Sequence, residues 1–202
     1  MATVRSPRPP VFNLPNQLTA ARLVLAIVLF GLITAGLWVC CIVVFALAAV
    51  TDWLDGYFAR QQGLSSTLGR VFDPLVDKVL VGGAYIFLLP YGYERSGLLP
   101  WIVTLVIARE LIITGMRSFL ENKGVAFGAD WLGKLKMGLQ CAALFAIFVA
   151  LMVRVPGRSE DTVRLFDGIR DGLIWAMVAA TALSGLQYLW RAALILRAER
   201  EI

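Results

Sequence analysis

The chain contains no histidine, so the commonest general base of enzyme catalysis is missing. Any proton transfer falls to other side chains. Cysteine is scarce: Cys40, Cys41 and Cys141 are the only three. They sit in apolar stretches without metal-site spacing, which is the pattern of inert buried thiols rather than of a disulfide. No histidine or suitably placed cysteine offers a covalent intermediate, although an aspartate could form one. Charge is sparse as well, with 16% charged residues against 59% hydrophobic ones in 202 residues and a mean hydropathy of +0.75. Those values exclude an ordinary soluble globular domain. There is no internal repeat, no low-complexity segment and no second domain. The leader "MATVRSPRPPVFNLPNQLTAARL" has no small-residue cleavage pattern and runs straight into an apolar stretch, so the first helix is expected to stay attached.

Long apolar runs are abundant. They fall at roughly 20–36, 38–58, 74–90, 98–119, 132–153 and 172–195, each close to the ~20 residues that cross a hydrocarbon core. The implied fold is all-α: a polytopic membrane domain of six transmembrane helices with a short N-terminal interfacial helix over 16–196, between a cytosolic leader at 1–15 and a cytosolic tail at 197–202. Leu23 to Val50 is too long for one crossing, and Gly31, Gly36 and the stretch Thr34 to Trp38 mark a hairpin turn. Six crossings put both termini on one side. Most Lys and Arg residues fall on or near that side, including Arg5, Arg8, Arg60, Arg70, Lys78, Lys123, Arg191, Arg197 and Arg200. The positive-inside rule makes it cytosolic. Against that count stands Arg154 to Asp171, read as an outer loop carrying Arg154, Arg158, Arg164 and Arg170.

Into this apolar background the sequence crowds "TDWLDGYFARQQGLSSTLGRVFDPLVDKV" at 51–79. At 100° per residue, Asp52, Asp55, Gly56 and Ala59 share one helix face. Past a short polar loop, Gly69, Asp73 and Asp77 follow at spacings of four; Asp73-Pro74 could instead be a cap and the first helical residue. Four carboxylates near a membrane need compensating charge, since a central aspartate costs about 2.5–3.5 kcal/mol to insert. Two hard divalent ions, Mg²⁺ or Mn²⁺, would balance them through oxygen ligands and could also bind phosphates. The plainer alternative is an ion network with Arg60, Arg70 and Lys78. Gly56, Ala59 and Gly69 either pack helices closely or leave room for a phosphate-bearing ligand.

The pattern Asp52-x2-Asp55-Gly56-x2-Ala59-Arg60-x8-Gly69-x3-Asp73-x3-Asp77 resembles the signature of the CDP-alcohol phosphotransferases, membrane enzymes with six transmembrane helices. All eight fixed positions are present. The resemblance implies that an alcohol attacks the β-phosphate of a CDP-linked substrate, usually CDP-diacylglycerol, and that CMP leaves. It implies a two-metal centre on Asp52, Asp55 and Asp73, with Asp77 contributing and acting as base toward, or merely orienting, the acceptor hydroxyl. It further implies a nucleotide site at Asp52, Asp55, Gly56, Ala59, Arg60 and Gly69. Paired metals clamp the attacking and leaving oxygens of such displacements.

Arg109, Arg117, Lys134 and Lys136 add four cations beyond the motif. They either snorkel to lipid headgroups or bind a second anion, which points to an acceptor bearing its own phosphate. Asn13 to Arg22, "ARELIITGMR" at 108–117 and "WLGKLKMGLQ" at 131–140 resemble bacterial phosphatidylglycerophosphate synthases. That likeness implies sn-glycerol 3-phosphate as acceptor, with Asn16, Thr19, Arg22, Arg109, Arg117, Lys134 and Lys136 as candidates for binding its phosphate. One departure is Met137, which stands where those enzymes commonly carry a hydroxyl residue and leaves inositol phosphate open as acceptor. Phosphatidylglycerol as acceptor and a cation transporter are the remaining alternatives; few polar residues line the outer halves of the spans, which disfavours a conduction path. Lys134 and Lys136 lie about 200° apart on a helix, so both cannot face one pocket. Glu110 reads as a structural ion-pair partner. Asn16 and Thr19 could instead cap the first helix or a short interfacial helix before it. The tail is expected to have modest affinity for anionic lipid. The family suggests a homodimer, a multi-pass protein of the bacterial inner membrane with its active site facing the cytosol, and no nucleic-acid partner.

Overall fold

In the computed structural model the described backbone covers residues 14–62, 67–122 and 131–198. Side chains at 14–16, 18, 52–62, 67–74, 77, 121, 122, 196 and 198 lie outside the description. The described residues form helices, turns and short connecting stretches, with no strand among them. The long helices are α1 (Leu14–Thr34), α2 (Trp38–Gln62) and α3 (Thr67–Leu88), then, after a 3₁₀ turn at Leu89–Tyr91 and the short α4 (Gly92–Ser96), α5 (Pro100–Asn122), α6 (Trp131–Val153) and α7 (Glu160–Ala198). Six long helices therefore coincide with the six apolar runs. The expected polar loop between α2 and α3, the far leader and the last tail residues lie outside the described residues.

The chain divides into two compact units, Met1–Gly83 and Ala84–Ile202. In the first, α1 packs on α2 as a hairpin. Gly36 ends α1 in the left-handed region at φ +69°. Its N–H donates to Ile33 O at 3.0 Å and that of Leu37 to Leu32 O at 3.0 Å, which is a Schellman closure. The expected turn is thus built where the sequence placed it, and Gly31 stays inside α1. The buried face of α1 runs Thr19, Arg22, Ala26, Leu29, Ile33, one stripe at helical spacing. Leu14 to Thr34 form one unbroken helix, so no separate interfacial helix lies within that range. Asn16 sits in the first turn and Thr19 in the second, and neither is the cap of α1.

Pro74 lies well inside α3, not at its start, so Asp73 is not an N-cap. A proline there withholds the N–H that the carbonyl of Arg70 would accept.

In the second unit α6 and α5 both pack on α7, and α4 packs on α6. The core includes Tyr85, Leu144, Ile147, Phe148 and Ile174, and the Tyr85 hydroxyl donates to Gln140 O at 2.9 Å. The stretch Arg154 to Asp171, read as a loop, is helical from Glu160 onward. Local chemistry explains the difference. Ser159 Oγ accepts from Thr162 N–H at 3.2 Å, an N-cap bond. Glu160 and Asp161 occupy the first turn, where the helix dipole favours acids. Arg164 pairs with Glu160 at 3.1 Å. Asp167 holds Arg154 at 2.6 Å and Arg170 at 2.9 Å. Charge patterning carried this helix past its apolar part.

The outer faces are unusually apolar, with Val24, Ile27, Val39, Val43, Leu111, Leu183 and Leu186 all more than half exposed. The hydroxyls of Thr34, Thr104 and Thr114 donate back to the carbonyls four residues earlier. Both features suit helices whose surroundings offer no hydrogen bonds. The helices Trp131–Val153 and Glu160–Ile195 are each long and apolar enough to cross a membrane. The three cysteines are in no disulfide, but only Cys41 is buried; Cys40 is exposed and Cys141 half-buried.

Gly97 ends α4 at φ +71° and ψ +5°, and a Cβ there would come within 2.7 Å of Arg170 Nε and 2.8 Å of Asp171 Oδ1. Gly97→Ala should cost about 2 kcal/mol, from left-handed strain together with displacement of the ion pair. A thermal melt in detergent several degrees below wild type is the expected result.

Candidate functional site

The candidate residues divide between the two units. In the first, Asp52, Asp55, Gly56, Ala59 and Arg60 lie on α2, and Gly69, Asp73 and Asp77 on α3. Because both segments are helical throughout, the register keeps residues 52, 55, 56 and 59 on one face and residues 69, 73 and 77 on another. Counting outward from Gly36, Arg22 is level with Val50, so Thr19, Arg22, Asp52 and Asp55 belong to the same end of the α1–α2 hairpin. Thr19 and Arg22 are 5% and 2% exposed, which places a hydroxyl and a guanidinium in the interior at that end. The side chains of Asn16 and of all four aspartates are outside the described residues. Among the described residues no three His, Cys, Asp or Glu gather into a group able to hold a metal. The donor set on α2 and α3 is all carboxylate, and its chemistry fits a hard divalent ion.

In the second unit α5, α6 and α7 assemble a cationic cluster. Arg109 Nη1 meets Glu110 Oε1 at 3.1 Å, and Lys136 forms an ion pair with the same oxygen. Arg109 Nη2 donates to Ser184 Oγ at 3.1 Å, while its stem approaches Gly185, whose missing Cβ would lie 3.4 Å from Cγ. Two guanidiniums lie over the Tyr188 ring, Arg109 at 5.5 Å and Arg117 at 5.9 Å from its centroid. Arg117 Nη2 also donates to the Tyr188 hydroxyl at 3.3 Å. Tyr188 packs in one apolar cluster with Ile113, Leu120 and Ala192.

The cluster is incompletely satisfied. Arg109 Nε, Arg117 Nε and Gln140 Nε2 are buried and have no hydrogen-bond partner among the described residues. Three cations and one carboxylate leave a formal charge of +2, so the arrangement is suited to an anion with several acceptor oxygens.

The two lysines separate as their spacing requires. Lys136 is buried, whereas Lys134 is on the exposed side of α6 and is not brought into the cluster. Glu110 is the ion-pair partner expected of it. Met137 is 41% exposed, so the departure from the related motif takes no group away from this cluster. Ser184 and Tyr188 were missed by the sequence reading. The available signal was the polar series Thr181, Ser184, Tyr188 at spacings of three and four in an otherwise apolar helix.

Glu110→Leu should strand buried Lys136 and cost about 3 kcal/mol. The double variant Glu110→Leu/Lys136→Met should recover most of that loss. Unfolding curves in detergent check both, and a double variant worse than the single one would contradict the pairing.

A family model described as CDP-alcohol phosphatidyltransferase matches residues 12–184. Several curated bacterial proteins named CDP-diacylglycerol–glycerol-3-phosphate 3-phosphatidyltransferase are similar over nearly the whole chain. The one from Bacillus subtilis (strain 168) is 31% identical over 193 residues, spanning 88% of this chain and 94% of its own. The Rickettsia typhi protein is 32% identical over 179 residues, 87% of this chain and 94% of its own. That of Pectobacterium atrosepticum is 32% identical over 187 residues, 88% and 93% respectively.

Proposed function

This chain belongs to the CDP-alcohol phosphatidyltransferase family, and on that footing we propose that it moves the phosphatidyl group of CDP-diacylglycerol onto sn-glycerol 3-phosphate. The products are phosphatidylglycerophosphate and CMP, a step of phospholipid biosynthesis. The observation that carries the reading is the complete Asp/Gly/Ala/Arg signature, carried on helices α2 and α3, within a chain that resembles enzymes of that name over 87–88% of its length. Six long helices would each cross the bacterial cell membrane, with the aspartate end facing the cytosol and two copies forming a homodimer.

In the displacement, the acceptor hydroxyl oxygen bonds to the β-phosphorus as the bond to the bridging oxygen breaks. CMP departs with that electron pair. Asp52, Asp55, Asp73 and Asp77 are the residues that would hold two Mg²⁺ or Mn²⁺ ions, which when bound neutralise the diphosphate and polarise its oxygens. Asp77 also orients the acceptor hydroxyl or accepts its proton. Gly56, Ala59 and Gly69 admit the cytidine nucleotide close to backbone, and Arg60 meets its phosphate. Arg109, Arg117 and Lys136 would bind the acceptor's phosphate, Lys134 would attract it from the exposed side of α6, and Asn16, Thr19 and Arg22 are the first unit's candidates for the same role. A phosphate monoester carries a charge of about −1.5 to −2 at neutral pH, which the +2 cluster complements. Neutral alcohols make no use of that charge, and the transport alternative leaves both the signature and the cluster unexplained.

Purified protein offered CDP-diacylglycerol with each acceptor in turn should release CMP rapidly only with glycerol 3-phosphate. Equal turnover with inositol phosphate or phosphatidylglycerol would overturn the acceptor assignment. Asp73→Asn should lower kcat at least about a hundredfold at any Mg²⁺ concentration, and near-normal turnover would refute the metal-holding role. Arg117→Ala should raise the KM for acceptor about tenfold while leaving that for CDP-diacylglycerol nearly unchanged.

A further inference from the structure

Two guanidiniums in one partly buried cluster repel one another, and something must hold them at a common spot. In this molecule the shared element is a single aromatic ring contributed by α7. We propose that Tyr188 is the positioning residue that aims Arg109 and Arg117, and thereby sets the preference of the second substrate site for a phosphate-bearing alcohol. The inference rests on the reading that this cluster receives the acceptor's phosphate.

The ring is well placed for the task. It is 2% exposed and packed in one apolar cluster with Ile113, Leu120 and Ala192, so it cannot swing away without opening an apolar contact. Its electron-rich π system attracts both cations, Arg109 at 5.5 Å and Arg117 at 5.9 Å, and offsets part of their mutual repulsion. Its hydroxyl accepts one N–H of Arg117 at 3.3 Å, which fixes the rotation of that guanidinium. Gly133 lies beside that hydroxyl, with the position of a Cβ there 3.4 Å from it. The remaining anchors of Arg109 are Ser184 and Glu110 at 3.1 Å each. After these bonds are made, Nε of each arginine is still buried without an acceptor among the described residues. An arginine held over a ring keeps its in-plane N–H groups for the oxygens of a phosphate. Tyr188 itself touches the arginines and has no assigned contact with substrate, so its contribution acts through them.

The test compares full-length wild type with Tyr188→Phe and Tyr188→Leu in detergent–lipid micelles. It measures the KM for glycerol 3-phosphate, the KM for CDP-diacylglycerol, and inhibition by inorganic phosphate competing with the acceptor. Loss of the hydroxyl alone should raise the acceptor KM about fivefold, and loss of the ring about tenfold or more. The inhibition constant for inorganic phosphate should rise in parallel, and the KM for CDP-diacylglycerol should stay within about twofold. Adding Tyr188→Phe to Arg117→Ala should do no further harm, because the two act as one unit. Should Tyr188→Leu fail to fold, the Phe variant, which keeps the ring, carries the test. Parallel rises in both KM values, additive effects with Arg117→Ala, or an unchanged acceptor KM in Tyr188→Phe would overturn the assignment while leaving the functional reading intact. A wild-type enzyme that ignored phosphorylated acceptors would overturn the functional reading itself, and this role with it.

Discussion

A charge can remain inside an apolar helix bundle only where other charges or hydrogen bonds compensate it, and the described part of this molecule is organised around that requirement. Lys136 is 3% exposed and survives because Glu110 meets it. Arg170 is 4% exposed and spreads its donors over Asp167, Asp171 and the carbonyl of Arg95. The two clusters differ in how far the compensation goes. Around Arg170 the acids and a backbone carbonyl absorb the positive charge, which makes that cluster a fastening between α4 and the start of α7. Around Arg109 and Arg117 the cations outnumber the carboxylate and two Nε–H groups lack acceptors among the described residues. A structural network gains nothing from unsatisfied donors, whereas a binding site needs them.

The four aspartates of the signature belong to the first unit. There the residues of the signature ride on two helices whose continuity keeps each acidic face in register. Pro74 sits inside α3 and does not begin it, so Gly69, Asp73 and Asp77 stay on one stripe. On the proposed function, the aspartates would meet the diphosphate through divalent ions and the cationic cluster would meet the acceptor's phosphate. A reaction joining a phosphate-bearing alcohol to a diphosphate-activated lipid must neutralise both substrates and still let them approach each other.

Much of this was legible beforehand, for reasons that can be stated residue by residue. The six helices followed from apolar length alone, and the hairpin from Gly36, whose backbone conformation few other residues adopt without strain. The 200° separation of Lys134 and Lys136 foretold that only one could enter a cluster, though not which one. Other features were hidden. Glu160 to Asp171 looked like a loop because its residues are polar, yet a serine cap, first-turn acids and ion pairs three and four residues apart made it helix. Thr19 could be read as a cap or as a phosphate ligand, and it lies on the buried stripe of α1. Tyr188 carried no motif, and its meaning depends on what α5 lays against it.

The sequence by itself therefore determined the properties set by neighbours within a helical turn or two: the helices, the turn at Gly36 and the faces that the aspartates share. Such features follow from 100° steps and local hydrogen bonds, which are the same in any chain. Only the tertiary structure decided that Lys136 and not Lys134 joins Glu110, and that Arg109 and Arg117 meet over one ring. Those pairings join residues tens of positions apart, and they are selected by the packing of α5 and α6 against α7 rather than by any spacing along the chain.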